Sequence, residues 1–339
     1  MIVGGYGVGN IGDEAILSGL LKNASANISK ITVVTHDVKE TRRLHSDETP
    51  KRTKLKAVSP SKIQLIRELV KNDHFLFGGG GLFSHYMGPY AKKIPHYATA
   101  AKALGKSVHW TAIGVYSSTP TMTKKGLKFS MKNSDNVSVR DPVSKDVLNN
   151  IGVSPVKLVD DPATKLEPKG ELGSKSLYEQ GIDTNEPIFA IAARKVKNAR
   201  LNQQLFHSYI HAGRELKDRG FNVVLMPFCK HSYEPTGMDH RTCEAVSEEL
   251  GKIPIVSYNH PKEALSIVSQ FDGILTTRLH SMIFANISAT PFVAIEYADK
   301  VSSLLDSYGK SSQGIPLDEV NERIVMDKIQ SEILELNDF

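Results

Sequence analysis

Gly273-Ile274-Leu275-Thr276-Thr277-Arg278-Leu279-His280-Ser281-Met282-Ile283-Phe284-Ala285 reads as three pieces. A short apolar strand runs into a polar turn, and an apolar helix follows. A buried strand feeding a helix in this way is the repeating unit of a parallel α/β fold. The turn then falls at a strand's carboxyl end and a helix's amino end, where unpaired amides favour anions. Arg278 adds a planar fork suited to phosphate or carboxylate. His280 adds a side chain that titrates near neutrality and can donate or accept a proton. The competing reading is an Arg–His pair bonded to backbone carbonyls at the edge of a core.

The same alternation extends outward in both directions. Strands are predicted at Ile2–Val3, Ile31–Thr35, His74–Phe77, Ser107–Ile113, Asn136–Val139 and Lys157–Val159. A second series follows at Ile188–Ala192, Asn222–Met226, Ile255–Val256, Gly273–Thr276 and Phe292–Glu296. Helical spacing is predicted at Asp13–Leu21, Ser61–Val70, Tyr90–Leu104, Pro142–Asn149, Gln203–Asp218, Cys243–Leu250 and Pro261–Ser269. The expectation is an α/β protein with two doubly wound, Rossmann-like domains facing a cleft. The N-terminal domain covers residues 1–165, a linker 166–186 with at most a short helix near Ser176–Gln180, and the C-terminal domain with the anion site 187–315. Residues 316–339 form a final amphipathic helix that packs back across the cleft. The run Lys51, Arg52, Lys54, Lys56 reads as a solvated loop.

The 339 residues carry 42 Lys and Arg against 37 Asp and Glu, a net charge of +5. That excess is too small to imply nucleic acid, and a mildly basic cleft for an anionic substrate accounts for it. Two cysteines make neither a disulfide framework nor a zinc knuckle, so a reducing, cytoplasmic setting is expected. No basic n-region opens the chain, and no apolar run approaches the ~18 residues of a membrane span. A peripheral contact with the inner face of a membrane stays open. His207 and His211 have i, i+4 spacing without a surrounding metalloprotease motif, and no metal is expected.

Two glycine-rich turns line the expected cleft. Gly7-Val8-Gly9-Asn10-Ile11-Gly12 fits a dinucleotide fingerprint, with Asp37 near the place of a ribose-binding acid. Asp13 and Glu14 argue against that reading, because a pyrophosphate on this helical turn would meet two carboxylates. Asn10 and Asp13 suit sugar hydroxyls instead, although Asp13 would equally serve as a helix cap. The second turn, Gly78-Gly79-Gly80-Gly81, ends a strand and removes every Cβ where a ligand or backbone must come close. Gly79 and Gly80, with the following Ser84 and His85, are candidate lining residues. Arg140 and Arg194 also end strands, so three arginines could clamp one small polyanion.

Several segments together resemble the polysaccharide pyruvyl transferase family, which includes bacterial cell-wall and exopolysaccharide pyruvyl transferases. They are Gly5-Tyr6-Gly7 with Asn10-Ile11-Gly12-Asp13-Glu14-Ala15-Ile16-Leu17, and Gly78-Gly79-Gly80-Gly81-Leu82-Phe83. Ser138-Val139-Arg140-Asp141-Pro142-Val143-Ser144, Asp161-Pro162-Ala163, Arg278-Leu279-His280-Ser281, and Tyr297 with Lys300 complete the set. The resemblance implies a two-domain fold like that of GT-B glycosyltransferases, with phosphoenolpyruvate in the interdomain cleft and no cofactor. It implies Arg140 and Arg278 as donor binders and His280 as the catalytic residue; Arg194, from its strand end, and Ser281, from the Arg278–His280 turn, are expected beside the donor. Asp13 would lie near the acceptor, a glycan or lipid-linked saccharide. Family members often carry Gln-Asp where this chain has Ser84-His85, which leaves the acceptor sugar unspecified. The rival readings are a GT-B glycosyltransferase using a nucleotide sugar and a non-catalytic glycan-binding relative.

Overall fold

The computed structural model describes residues 1–83, 88–231 and 235–335. The chain divides into two compact units: Met1–Val8 with Asp13–Lys165, and Gly9–Gly12 with Leu166–Phe339. Each is built on one parallel sheet, as a doubly wound α/β fold requires.

The first sheet contains β1 (Ile2–Tyr6), β2 (Lys30–Thr35), β3 (Lys54–Val58), β4 (His74–Gly78), β5 (Ser107–Ile113), β6 (Asn136–Val139) and β7 (Lys157–Leu158). Their order is β3-β2-β1-β4-β5-β6-β7, and every pairing is parallel. Parallel neighbours need crossovers. These are α1 (Ile11–Lys22), α2 (Val38–His45), α3 (Lys62–Lys71), α4 (Gly88–Ala103), α5 (Thr121–Lys132) and α6 (Pro142–Asn150). Alternation sends Val3, Val34, Phe77 and Trp110 into one core and Ile2, Val33 and Tyr6 into another, where Leu17 of α1 joins them, on opposite faces of the sheet. The strand order reverses between β1 and β4, so both glycine-rich turns open at the switch point where such sheets bind ligands.

The second sheet contains β8 (Ile188–Ala192), β9 (Asn222–Leu225), β10 (Gly273–Thr276), β11 (Phe292–Glu296) and β12 (Gly314–Pro316), ordered β12-β11-β10-β8-β9 and again parallel. Around it lie α7 (Gly170–Glu179), α8 (Ala199–Asp218), α9 (Asp239–Glu249), α10 (Pro261–Val268), α11 (Leu279–Ser288), α12 (Asp299–Ser307) and α13 (Glu322–Ile329). β8 and β10 are buried along their whole length, which explains their continuous rather than alternating apolar pattern. The switch point falls between them.

Several expectations need correction. Lys54 and Lys56 do not lie in a loop but on β3, at the sheet edge, where lysine discourages pairing with other chains. Ile255 joins the second sheet through a single parallel bridge to Leu225 rather than a full strand. Residues 166–186, read as a linker, hold α7, which packs on α10. Val325, Ile329 and Ile333, on and just after α13, belong to the second unit's own core. Leu336 lies outside the described residues.

Candidate active site

Parallel register sets Thr276 of β10 beside Ala192 of β8. Two residues further on, each strand delivers an arginine, Arg278 and Arg194. The Arg278 fork grips Asp239: Nε donates to Oδ2 at 2.8 Å, and Nη2 donates to Oδ1. Nη2 also donates to the Thr236 carbonyl at 2.7 Å, and Arg194 Nη2 reaches that same carbonyl at 3.5 Å. Tyr209 ties the two strand ends together, its hydroxyl 2.6 Å from Thr277 Oγ1 and 3.4 Å from the Arg194 carbonyl.

The Arg194 guanidinium lies 4.2 Å from the centre of the Tyr297 ring, and Lys300 Nζ lies 5.2 Å from it. Two cations therefore lie against one phenol. Burial pushes the Tyr297 phenol up, but Lys300, Arg194 and Arg278 outweigh it and bring it down to about 8.

His280, the second residue of α11, is buried against Gly12. The segment around Gly12 belongs to this second unit because Asn10 bridges Cys229, Ile11 N donates to Phe228 O, and Lys230 N donates to Gly9 O. A Cβ on Gly12 would stand 2.0 Å from His280 Nδ1, so only glycine lets the ring lie there. Asn10 Oδ1 accepts from Gly12 N at 3.2 Å and holds the turn. Ser281, expected at the donor, is fully buried; its hydroxyl donates to the Arg278 carbonyl at 2.7 Å and contacts Thr276 Oγ1. Its part is to shape the turn that presents Arg278 and His280.

The first unit gathers the remaining residues. The Arg140 side chain is 2% exposed and its Nη1 lies 2.5 Å from Asp161 Oδ2. Gly80 rests on the guanidinium, and a Cβ there would stand 2.5 Å from Nη1. Arg140 and Asp161 thus brace the four-glycine turn, where Gly79 takes a φ of 116°. Arg140, expected as a donor binder, is enclosed by the turn and by Asp161. Asp13 is half-buried in the first turn of α1. Ser84 and His85 lie outside the described residues.

The apparent dinucleotide fingerprint has a different use. Gly7 N donates to Glu14 Oε1 at 2.7 Å, so the amide that a pyrophosphate would need already faces a carboxylate. Glu14 Oε2 is 2.9 Å from His45 Nε2, and His45 Nδ1 is 2.6 Å from Glu48 Oε2. Burial lowers the His45 imidazole, but Glu14 and Glu48 raise it more, to about 9. Asp37 is the N-cap of α2, accepting from Glu40 N at 2.9 Å.

The sequence matches the family described as polysaccharide pyruvyl transferase over residues 10–299. The chain belongs to the polysaccharide pyruvyl transferase family. It is therefore a transferase whose family acts on a saccharide. Among curated proteins it finds no significant match. Solved structures resemble it along its whole length. The ADP-heptose lipopolysaccharide heptosyltransferase II of E. coli shares 12% identity over 99% of both chains, with a TM-score of 0.54. UDP-GlcNAc 2-epimerase of Methanocaldococcus jannaschii shares 14% over 98% of this chain and 91% of its own, at 0.62. The Neisseria meningitidis enzyme of that name, bound to UDP-GlcNAc, shares 13% over 97% and 90%, at 0.60. At these identities the likeness establishes the fold, which is GT-B-like.

In this transferase, Asp239 and Thr236 are central residues that sequence reasoning missed. Neither sits in a recognisable motif; they are brought to Arg278 by the turn that opens α9. Tyr297 and Lys300 were visible within the family pattern but carried no assigned role.

Proposed function

We propose that the protein transfers the enolpyruvyl group of phosphoenolpyruvate to a sugar of a surface polysaccharide, forming a cyclic pyruvate ketal and releasing phosphate. The reading rests on one observation: Arg194 and Arg278 leave adjacent strand ends at the switch point, converge on Thr236 O, and sit beside Tyr297 and Lys300 in the unit that holds His280. A compact trianion with a carboxylate and a phosphate suits such a cluster. Arg140 takes part through the glycine turn it braces, and Asp13 and Asn10 belong to the acceptor side.

The chemistry balances without an added reagent. The methylene carbon of the donor takes a proton, and positive charge develops at C2. One sugar hydroxyl adds there and loses its proton as the C2–O bond to phosphate breaks. A second hydroxyl of the same sugar closes the ketal and loses its own. The two hydroxyl protons account for the new methyl hydrogen and for the proton on the departing phosphate. His280 carries one of these transfers, as acid to the methylene or as base to the hydroxyl.

The test is phosphate release from phosphoenolpyruvate in the presence of a panel of glycosides, with mass spectrometry of the products. A ketal-linked pyruvate on one glycoside is expected, and His280→Ala, folded by circular dichroism, should lose about 10²-fold or more in rate. Turnover of a nucleotide sugar without phosphate release from phosphoenolpyruvate would replace this reading with a glycosyltransferase. Saccharide binding with no turnover of either donor would leave a glycan-binding relative.

A further inference from the structure

We propose that the outer face of α3, α4 and α5 in the first unit is a docking surface for an anionic lipid bilayer. These three helices cover one face of the sheet, contributing Leu65, Leu69, Ile94, Ala98, Leu127 and Met131 to a single core. Their other side should be polar if it met only water. It is not: Ile63, Ile66 and Val70 form an exposed stripe on α3, and Met122 and Phe129 on α5 are 72% and 62% exposed. Between α4 and α5 runs a groove of about 430 Å³ lined by Pro95, Met122, Gly126 and Phe129, with Lys92 and Lys125 at its rim. Scattered apolar side chains are ordinary, whereas an apolar groove between two packed helices, α4 and α5, marks an interaction surface.

The charge identifies the occupant. The three helices carry ten Lys and Arg and one acid, Glu68, which is buried and paired with Lys56. Lys102 is paired with Asp135 at 2.9 Å, and Lys124 donates to the Ser117 carbonyl. Lys92, Lys93, Lys125, Lys128 and Lys132 are exposed, and among the described residues no acid pairs with them. Apolar side chains flanked by unpaired lysines fit the boundary between acyl chains and anionic headgroups, where the stems insert and the ammonium groups stay at the surface. A nucleic acid would leave Ile63, Met122 and Phe129 in water and would use arginine forks, of which this face has only Arg67. No helix among the described residues is long and apolar enough to cross a membrane, so the contact lies on the bilayer. The surface would hold the enzyme where an acceptor is presented on a membrane; it rests on the proposed reaction only for that purpose.

The experiment is flotation of the full chain with vesicles of phosphatidylcholine alone and of phosphatidylcholine with about one third phosphatidylglycerol, at low and high salt. Wild-type protein should float with the anionic vesicles, release at high salt, and ignore the neutral ones. Lys92→Glu/Lys125→Glu/Lys128→Glu should bind at least tenfold more weakly, since each lysine near the surface is worth about fivefold. Met122→Ser/Phe129→Ser should weaken binding further as salt rises. All substituted residues are exposed, and circular dichroism with phosphate release on a soluble saccharide monitors the rest of the molecule. No flotation with anionic vesicles, or variants that float like wild type, would overturn the proposal. So would a switch from dimer to monomer in the serine variant without any vesicle binding, which would make the face a contact between copies. Vesicle binding without phosphate release would leave this surface standing and remove the proposed reaction.

Discussion

Tyr297 offers the sharpest reading at the level of single groups. With Arg194 over its ring and Lys300 beside it, its phenol is brought down to about 8 while ordinary tyrosines ionise near 10. Ultraviolet difference absorbance should therefore show one early phenolate step near pH 8. Tyr297→Phe should remove that step, and Lys300→Ala should move it upward; a titration with no component below 9 would contradict the arrangement. The residue-level legibility of the site was uneven. Arg278 and His280 stood out because a polar turn between an apolar strand and an apolar helix has few other uses. Arg194 was visible because it follows an apolar strand. Ser281 looked like part of that ligand set, yet a hydroxyl two residues into a helix finds the turn's own carbonyl more easily than a ligand. Asp239 could not be found at all, because its importance comes from facing Arg278 across a long separation in sequence.

At the level of elements, the first glycine turn shows how a motif can mislead. The fingerprint spacing was correct, but the carboxylate of Glu14 occupies the Gly7 amide and is itself held by His45. This cluster has a pH signature. The folded His45 value, about 9, lies above the ordinary 6.5, so its stabilisation is complete below pH 6.5 and is lost as pH rises through 9. For a fully buried ring the contribution is up to about 3 kcal/mol. Thermal melts should fall by several degrees between pH 6.5 and pH 9.5, and His45→Gln should flatten that dependence. The sequence patterns also missed α5 and α12, and three of the missed elements share one physical reason. β3 alternates lysine with apolar residues at a sheet edge, β12 has three residues and ends in Pro316, and α2 is short and highly charged. Each is stabilised by its neighbours rather than by a strong local pattern. The buried strands β8 and β10 were plain because their apolar runs are uninterrupted.

For the molecule as a whole, the division into two sheets was legible from two series of strands, but residues 166–186 were not. Their polar composition let only a short helix near Ser176–Gln180 show and hid the rest of α7, which lies so close to α10 that a Cβ on Gly173 would stand 2.0 Å from the Ser266 carbonyl. Gly173→Val should therefore destabilise the second unit. Hydrogen exchange read by mass spectrometry should show β8 and β10 losing protection while β1 and β4 keep theirs; equal loss in both sheets would mean the cores are not separate. The assignment of Gly9–Gly12 to the second unit has a consequence for how the protein is made. Asn10 pairs with Cys229, so this segment leaves the ribosome before its partner and waits for a stretch roughly 220 residues behind it. Until His280 emerges as well, Gly12 has no imidazole to receive. The bed for His280 is thus completed only once residue 229 has been made, and a nascent chain halted before residue 280 carries its glycines without the ring they accommodate.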